Sequence, residues 1–355
     1  GKSPSKPDPD IYDHKYYHCD VLVVGGGISG IMAAKLSAEN NNETLLLDDK
    51  NTLGGATIYQ NNDCFQIDGT HTNYWLEKEI NKIKNIKNLT IKTRTSLAAY
   101  HGYNYLLAKE NLTDHLSPDE RKGKIRQRLW KIRAKKVIIA TGSIERPLIF
   151  NNNDRPGIML SSAIKKFIDF YGVKAGKEIS LFTNNDSAYE TAISLKKSGV
   201  NIVSIIDIRD KSSSKIVKEV EKHNIKIYWK HTIVNTEGYR RISFIEIMKL
   251  SDDGSGVIGK KIKLKTDCLG ISGGWTPMVH LFTQSGGKLK FRSDDNVFLP
   301  DKNKTPSDQI SIGSCNGDFD IKDIILNSNK DVKTFLGIEN SSFDNLKVES
   351  SKEEM

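Results

Sequence analysis

The 355-residue sequence has little cysteine: Cys19, Cys64, Cys268 and Cys315, with no CxxC pair among them. That excludes a dithiol redox motif and a cysteine zinc cluster, and it fits free thiols in a reducing compartment. No apolar run approaches the roughly 20 residues that a membrane helix needs, so no membrane contact is expected. No nucleophile–base pair and no metal-ligand cluster stands out, so no catalytic residue and no metal ligand is assigned. The opening residues Lys2, Pro4, Lys6, Pro7 and Asp8 are polar and unlike a secretory leader, which points to the cytoplasm. What is present is ordinary for a globular chain of about two domains: 37% hydrophobic and 27% charged residues. The balance of 53 basic and 44 acidic residues gives +9. The lysines are scattered among acids and asparagines without an aromatic stripe along the chain. A solvated surface is expected rather than a nucleic-acid partner.

The strongest local signal lies near the N-terminus. An apolar strand, Cys19 to Val24, runs into Gly25-Gly26-Gly27-Ile28-Ser29-Gly30 and then into a helix from Ile31 to about Glu39. A second strand, Thr44 to Leu47, ends at Asp48-Asp49-Lys50. Strand, glycines, helix and strand form a dinucleotide-binding β-α-β unit. Gly25 permits the tight turn, Gly27 lets the backbone approach a pyrophosphate, and Gly30 lets helix and strand pack closely. Ile28 and Ser29 fall at the helix N-terminus, where free N–H groups and the dipole favour phosphate. Asp48 is about 20 residues on, placed to accept hydrogen bonds from an adenosine ribose and to repel a 2′-phosphate. NAD or FAD is therefore expected over NADP. Flavoproteins of this type place a carboxylate on the flavin ribityl chain from a late Gly-Asp. The matching residues here are Gly313-Ser314-Cys315, without the aspartate, which favours NAD in the first site with FAD as the alternative occupant.

A second β-α-β unit starts with the strand Glu178–Phe182, continues with a helix near Ser187–Lys197, and returns at Ile202–Ile206. Its turn reads Thr183-Asn184-Asn185-Asp186 and lacks the glycines. Side chains there obstruct a pyrophosphate and Asp186 repels it, so this unit is expected not to bind dinucleotide. Asp207 at its second strand end is expected to be a solvated strand terminus.

Several segments resemble one family. Pro7-Asp8-Pro9-Asp10 with His18 to Gly27, Ala140-Thr141-Gly142-Ser143-Ile144-Glu145-Arg146-Pro147, Phe182 to Tyr189, Ser272-Gly273-Gly274-Trp275 and His280 to Gly287 are similar to the alpha subunits of heterotetrameric sarcosine oxidases. The resemblance runs from about residue 7 to residue 320. It implies NAD in the first site, and FAD and FMN elsewhere in the complete enzyme, with beta, gamma and delta subunits as partners. It implies oxidative demethylation of sarcosine to glycine, formaldehyde and hydrogen peroxide. By the same resemblance, Asp48, Asp49 and Lys50 form the adenosine-ribose segment, while Gly55 and Ala56 lie in a loop by the cofactor. The backbone at Leu97 approaches the adenine, and Ala140, Thr141 and Gly142 border the site. Gly313, Ser314 and Phe319 close its nicotinamide end. Family members are much longer, with a ferredoxin-like and a folate-binding aminomethyltransferase-like domain, so folate chemistry is not expected of these residues.

The expected fold is α/β with two Rossmann-like dinucleotide-binding domains of the glutathione reductase type, the second inserted in the first. The boundaries are 1–18 as a surface strap, 19–145 plus 265–335 as the first domain, 146–264 as the second, and 336–355 as a polar tail. Rival readings are a subunit of a related opine, proline or glycine dehydrogenase, a stand-alone NAD(P)H/FAD oxidoreductase, and a non-catalytic NAD-binding scaffold. The damaged second turn argues against the stand-alone enzyme.

Overall fold

The structure, a computed structural model, describes Ser3 and residues 5–59, 65–306 and 308–350; Cys64 lies outside them. In chain order it runs β1 (Ile11–Val24), α1 (Ile28–Glu39), β2 (Thr44–Leu47), β3 (Phe65–Ile67), β4 (Thr70–His71), α2 (Thr72–Ile83), β5 (Leu89–Lys92), β6 (Thr95–His101), β7 (Tyr105–Asn111) and β8 (Ile125–Ile139). It continues with β9 (Ser143–Glu145), β10 (Ile158–Leu160), α3 (Ser161–Asp169), β11 (Glu178–Thr183), α4 (Ser187–Lys197), β12 (Asn201–Asp207), α5 (Lys215–Lys222), β13 (Ile227–Trp229), β14 (His231–Glu237), β15 (Phe244–Leu250), β16 (Val257–Lys265) and β17 (Cys268–Ser272). Last come β18 (Trp275–Pro277), α6 (His280–Gln284), β19 (Leu289–Arg292), β20 (Val297–Pro300), β21 (Gln309–Ser311), α7 (Ile321–Leu336) and β22 (Val348–Ser350).

The chain forms two compact units. One comprises Gly1–Ile58, Asp63–Ser143 and Pro277–Met355; the other comprises Tyr59–Asn62 and Ile144–Thr276. The first unit is built on a sheet ordered β5-β2-β1-β8-β7-β6, with β21 also paired to β8. Its left half is parallel, with Val24 level with both Leu47 and Ile139, and Ser311 level with Ile139. Four strand ends thus finish on one edge, the edge where open α/β sheets bind ligands. The second unit carries a parallel sheet, β10-β17-β11-β12-β13, and an antiparallel one, β14-β15-β16.

Residues alternate across β1 as a two-sided strand requires. Val21 and Val23 pack with α1, α2 and α7, while Leu22 and Val24 pack on the other face with Tyr100, Leu106 and Trp130. Helix α1 is buried from Ile28 to Ala38, polar residues included. Such a helix needs small or apolar residues all round, and Gly30, Ala33, Ala34 and Ala38 supply the small ones. Lys35, 5% exposed, is the exception, and its Nζ lies 2.7 Å from a carboxylate oxygen of Glu79 on α2. Lys82 approaches the other oxygen at 2.6 Å, and the Lys35 ammonium also sits 4.5 Å from the Phe343 ring centroid. Burial alone would raise the Glu79 carboxyl, but the hydrogen bonds from Lys35 and Lys82 win and hold it below its ordinary value.

Two features depart from the sequence reading. The strap is strand from Ile11, paired in parallel with β8 along its length. Its polar character reflects one uncovered sheet face rather than lack of structure. The tail is not a free polar end, because Phe343 is 3% exposed in the first core and β22 pairs antiparallel with β3.

Breaking the Lys35–Glu79 pair leaves a buried charge, which typically costs about 3–5 kcal/mol. Glu79→Ala is expected to lower unfolding stability by about 3 kcal/mol at pH 7. A carboxyl held low in the folded state stabilises above its unfolded pKa of 4.5 and loses that contribution as pH falls further. Urea unfolding at pH 7 and pH 4 should show a steeper acid loss for wild type than for Glu79→Gln; parallel slopes would refute this.

Candidate dinucleotide site

At the end of β1 the backbone turns through Gly25, whose φ is +107°. A Cβ there would lie 2.2 Å from the Ala140 carbonyl oxygen. A Cβ on Gly30 would lie 1.8 Å from the Gly25 carbonyl oxygen. These two glycines permit three backbones to meet. Gly27 is different. Its Cβ would meet only the Gly55 Cα, at 4.0 Å, so the protein leaves space over Gly27. Gly27 is also the N-cap of α1, and no side chain caps that helix. The first-turn N–H groups of Ile28, Ser29 and Gly30 have no partner within the helix. Open space over a glycine beside an uncapped helix N-terminus is the cradle that a pyrophosphate fits.

The loop 54–56 closes on this turn. The Gly54 N–H donates to the Gly26 carbonyl at 2.7 Å. Gly54 and Gly55 both have positive φ, and the loop continues into a 3₁₀ turn that contains Ala56. On the far side, the Ala140 N–H donates to the Val24 carbonyl at 2.8 Å. Thr141 Oγ1 donates to the Met278 carbonyl at 2.8 Å, and the Met278 N–H donates to the Gly142 carbonyl at 3.0 Å. Gly313, at φ +68°, backs onto Ser29; a Cβ there would sit 2.3 Å from Ser29 Oγ. Ser314 Oγ would be 3.8 Å from a Cβ on Gly142. The sequence-assigned residues 25–30, 55–56, 140–142 and 313–314 therefore converge on one edge of the sheet. Phe319 lies further out, 36% exposed, with the Arg292 guanidinium 5.8 Å from its ring centroid.

The adenosine end separates two adjacent aspartates. Asp48 is 7% exposed and turned into the glycine loop. One oxygen accepts from the Gly26 N–H at 2.5 Å and the other from the Lys50 N–H at 2.7 Å. Burial raises its carboxyl above the ordinary aspartate value, against the pull of those two amides. The outward carboxylate is Asp49, with Lys50 Nζ 2.7 Å away. The geometry makes Asp48 a tie for the loop and leaves Asp49 as the acceptor facing solvent. Arg94 N–H donates to the Lys50 carbonyl and Thr95 N–H to the Asp48 carbonyl, at 2.7 and 2.8 Å. These bonds bring the start of β6 against this segment. Leu97 follows two residues later, where the strand bulges between Leu97 and Ala99. Gly26, Gly54 and Met278 were not among the sequence-assigned residues. The first two sit inside visible glycine runs, whereas Met278 acts through its backbone and leaves no local signal.

The second unit shows how the same turn closes. Asn185 Oδ1 accepts from Ser187 N at 3.0 Å and Ser187 Oγ at 2.6 Å, so its side chain occupies the start of α4. Its Nδ2 donates to the Ser272 carbonyl at 3.1 Å. Asp207 was expected in solvent but is fully buried. Tyr189 Oη donates to it at 2.8 Å, and the Arg209 guanidinium pairs with it and reaches Asp186 at 2.8 Å. Burial raises the Tyr189 hydroxyl pKa, and the Asp207 charge pushes it further. The carboxylate that would take a ribose is bound up within the protein.

Among the described residues no group of three or more His, Cys, Asp or Glu side chains could hold a metal ion. Cys19, Cys268 and Cys315 are buried free thiols. Burial pushes Cys19 and Cys268 up to about 12. No helix among the described residues is long and apolar enough to cross a membrane.

The chain is 35% identical over 315 residues to sarcosine oxidase subunit alpha of Corynebacterium sp. (strain P-1), covering 88% of this chain and 32% of that protein. It is 30% identical over 305 residues to sarcosine oxidase subunit alpha of Rhizobium meliloti (strain 1021), covering 84% and 29%. The chain thus spans about a third of the length of these relatives. Its fold is similar to that of L-proline dehydrogenase from P. horikoshii (TM-score 0.66, 19% identity, 96% of this chain and 61% of that one). It is equally similar to thioredoxin reductase from T. acidophilum (TM-score 0.66, 18% identity, 90% and 97%). Residues 19–320 match the family described as pyridine nucleotide-disulphide oxidoreductase, and the chain belongs to that family of α/β oxidoreductases.

Proposed function

We propose that this chain is the NAD-binding portion of an amine-oxidising assembly of the sarcosine oxidase type. The observation that carries the reading is the contrast between the units: an open glycine cradle in the first and a side-chain-filled turn in the second. In the first unit, N–H groups at residues 28–30 hold the pyrophosphate. Asp49 accepts from the adenosine ribose, and Gly313 and Ser314 border the nicotinamide end. NAD is favoured over FAD because Gly313-Ser314-Cys315 presents no carboxylate for a ribityl chain; Gly313 backs onto Ser29, and the Cys315 side chain is buried. Bound there, NAD supplies a nicotinamide ring capable of hydride exchange.

The assembly as a whole would convert sarcosine, oxygen and water into glycine, formaldehyde and hydrogen peroxide. The similarity to sarcosine oxidase alpha subunits supports this substrate, and the absence of a nucleophile–base pair from the sequence reading supports placing amine chemistry at flavins held with partner subunits. The chain alone is then expected to be inactive on sarcosine, in a cytoplasmic setting.

The direct test is to purify the chain, denature it, and identify released nucleotide by absorbance and mass. NAD without flavin is expected; one FAD per chain would replace this reading with a self-contained flavoprotein.

The cradle itself yields a sharper contrast. Gly27→Ala should match the wild-type Tm when both are nucleotide-free, because its methyl meets no protein atom closer than 4.0 Å, but lose most bound dinucleotide. Gly30→Ala should lose both, since its methyl collides with the backbone. Full dinucleotide content in Gly27→Ala would show that the cradle is not the site.

The two aspartates should also separate. Asp49→Asn is expected to weaken dinucleotide retention with stability kept. Asp48→Asn should lower stability by about 2 kcal/mol, the scale of a hydrogen bond to a charged group. Equal effects on both properties in both variants would overturn the division of roles.

A further inference from the structure

The lower half of β1 and its neighbours form a four-stranded surface, β1-β8-β7-β6, with one face in the second core cluster of the first unit. Tyr17, Trp130, Ile132, Leu106 and Ala108 point into that core. The residues between them define the opposite face by register. His18 lies opposite Arg133, which lies opposite Tyr105, which lies opposite His101. The next row is Tyr16, Lys131 and Leu107. The third is His14, Leu129 and Lys109. No carboxylate occupies any of these positions. Carboxylates flank these rows at both ends: Asp20, two residues beyond His18, pairs with Lys135 at 2.7 Å, and Asp8 accepts from the Tyr12 hydroxyl at 2.6 Å.

This face is uncovered in the chain. Tyr16 is 63% exposed, and His14, His18, Lys109 and Arg133 are exposed as well. Exposed sheet faces on a folded protein are usually polar and mixed in charge. This one mixes apolar rings with cations of a single sign, the composition of a surface that docks an anionic partner.

We propose that this face docks an acidic segment of a partner protein, one that alternates Glu or Asp with apolar residues. Carboxylates would bridge Lys109, Lys131 and Arg133, and apolar side chains would rest on Tyr16 and Leu129. A base-stacking nucleic-acid site is disfavoured by the rings themselves. Lys131 Nζ lies 4.9 Å from the Tyr16 centroid and Arg133 lies 5.1 Å from the Tyr105 centroid. His14 meets Tyr16 edge-on at 5.8 Å, and His101 lies 6.0 Å from Tyr105. Cations and histidines flank the rings where bases would stack. The proposal does not depend on which nucleotide the first site holds.

The test uses the full chain with fluorescent poly-L-glutamate as the probe. Wild type is expected to bind in a salt-dependent manner. The triple variant Lys109→Gln, Lys131→Gln, Arg133→Gln should bind about tenfold more weakly, three exposed ion pairs of about 0.5 kcal/mol each. A charge-matched control, Lys78→Gln, Lys87→Gln, Lys322→Gln, should bind as wild type does. A copolymer of glutamate and tyrosine should bind wild type more tightly than poly-L-glutamate, and Tyr16→Ser should remove that gain. Circular dichroism melting confirms that the variants are folded. No binding by wild type, equal losses in both triple variants, or tighter binding of oligo-dT or phosphatidylserine vesicles through the same residues would each overturn the proposal.

Discussion

The first unit depends on a backbone contact that only glycine permits. Gly25 and Gly30 let the end of β1, the start of α1 and the Ala140 carbonyl come within touching distance. Without that approach α1 could not begin where it does, and its N-terminus would not face the strand ends. Asp48 then fixes the same turn from the other side by accepting from Gly26 and Lys50. The loop 54–56 and the late turn at Gly313 are placed against a frame already set by these contacts. The open cradle follows from packing, and the uncapped helix N-terminus that packing leaves beside it is suited to an anion.

The second unit shows what the fold does when the glycines are replaced. The strand–turn–helix path survives, because Asn185 supplies from its side chain the hydrogen bonds that a ligand would otherwise supply. Thr183, Ser187 and Ser272 complete the turn. At the strand end, the Arg209 guanidinium pairs with Asp207 and also reaches Asp186. A buried carboxylate without such a partner would be destabilising. The unit thus keeps the architecture by satisfying these polar groups internally, and a shared fold does not imply a shared ligand.

Much of the fold was legible because its signals are local. The strand, the glycine spacing and the helix lie within 20 residues, and the damaged turn at 183–186 is visible as missing glycine. That Asp48 turns inward and Asp49 outward is not legible in the sequence. Adjacent strand-end residues point opposite ways, and which one turns inward depends on the Gly26 amide across the turn. Asp207 was misread for a similar reason, since its partners Tyr189 and Arg209 lie on other elements. The first half of β1 is not legible as strand because its inner positions include Asp13 and Lys15, which pair with Arg128 and cover Trp130, so its sequence lacks the apolar alternation that marks a half-buried strand. Phe343 docks against Lys35, a contact across more than 300 residues with no trace in local pattern.

Charge is sorted by the fold in the same way. Along the chain, Lys109, Lys131, Arg133 and the tyrosines are separated by acids such as Asp13, Glu110 and Asp119, and the local balance is unremarkable. The sheet sorts them. Glu110 turns inward to accept from the Trp130 indole at 2.7 Å, and Asp13 pairs with Arg128 on the other side of β1. Period-two alternation therefore moves these acids off one face and gathers basic and aromatic residues on it. A chain whose composition reads as a mixed, solvated surface presents a face of one sign because its acids are consumed by pairing within the fold. The same sorting buries Asp48 and Asp207 within the fold and leaves Asp49 outward.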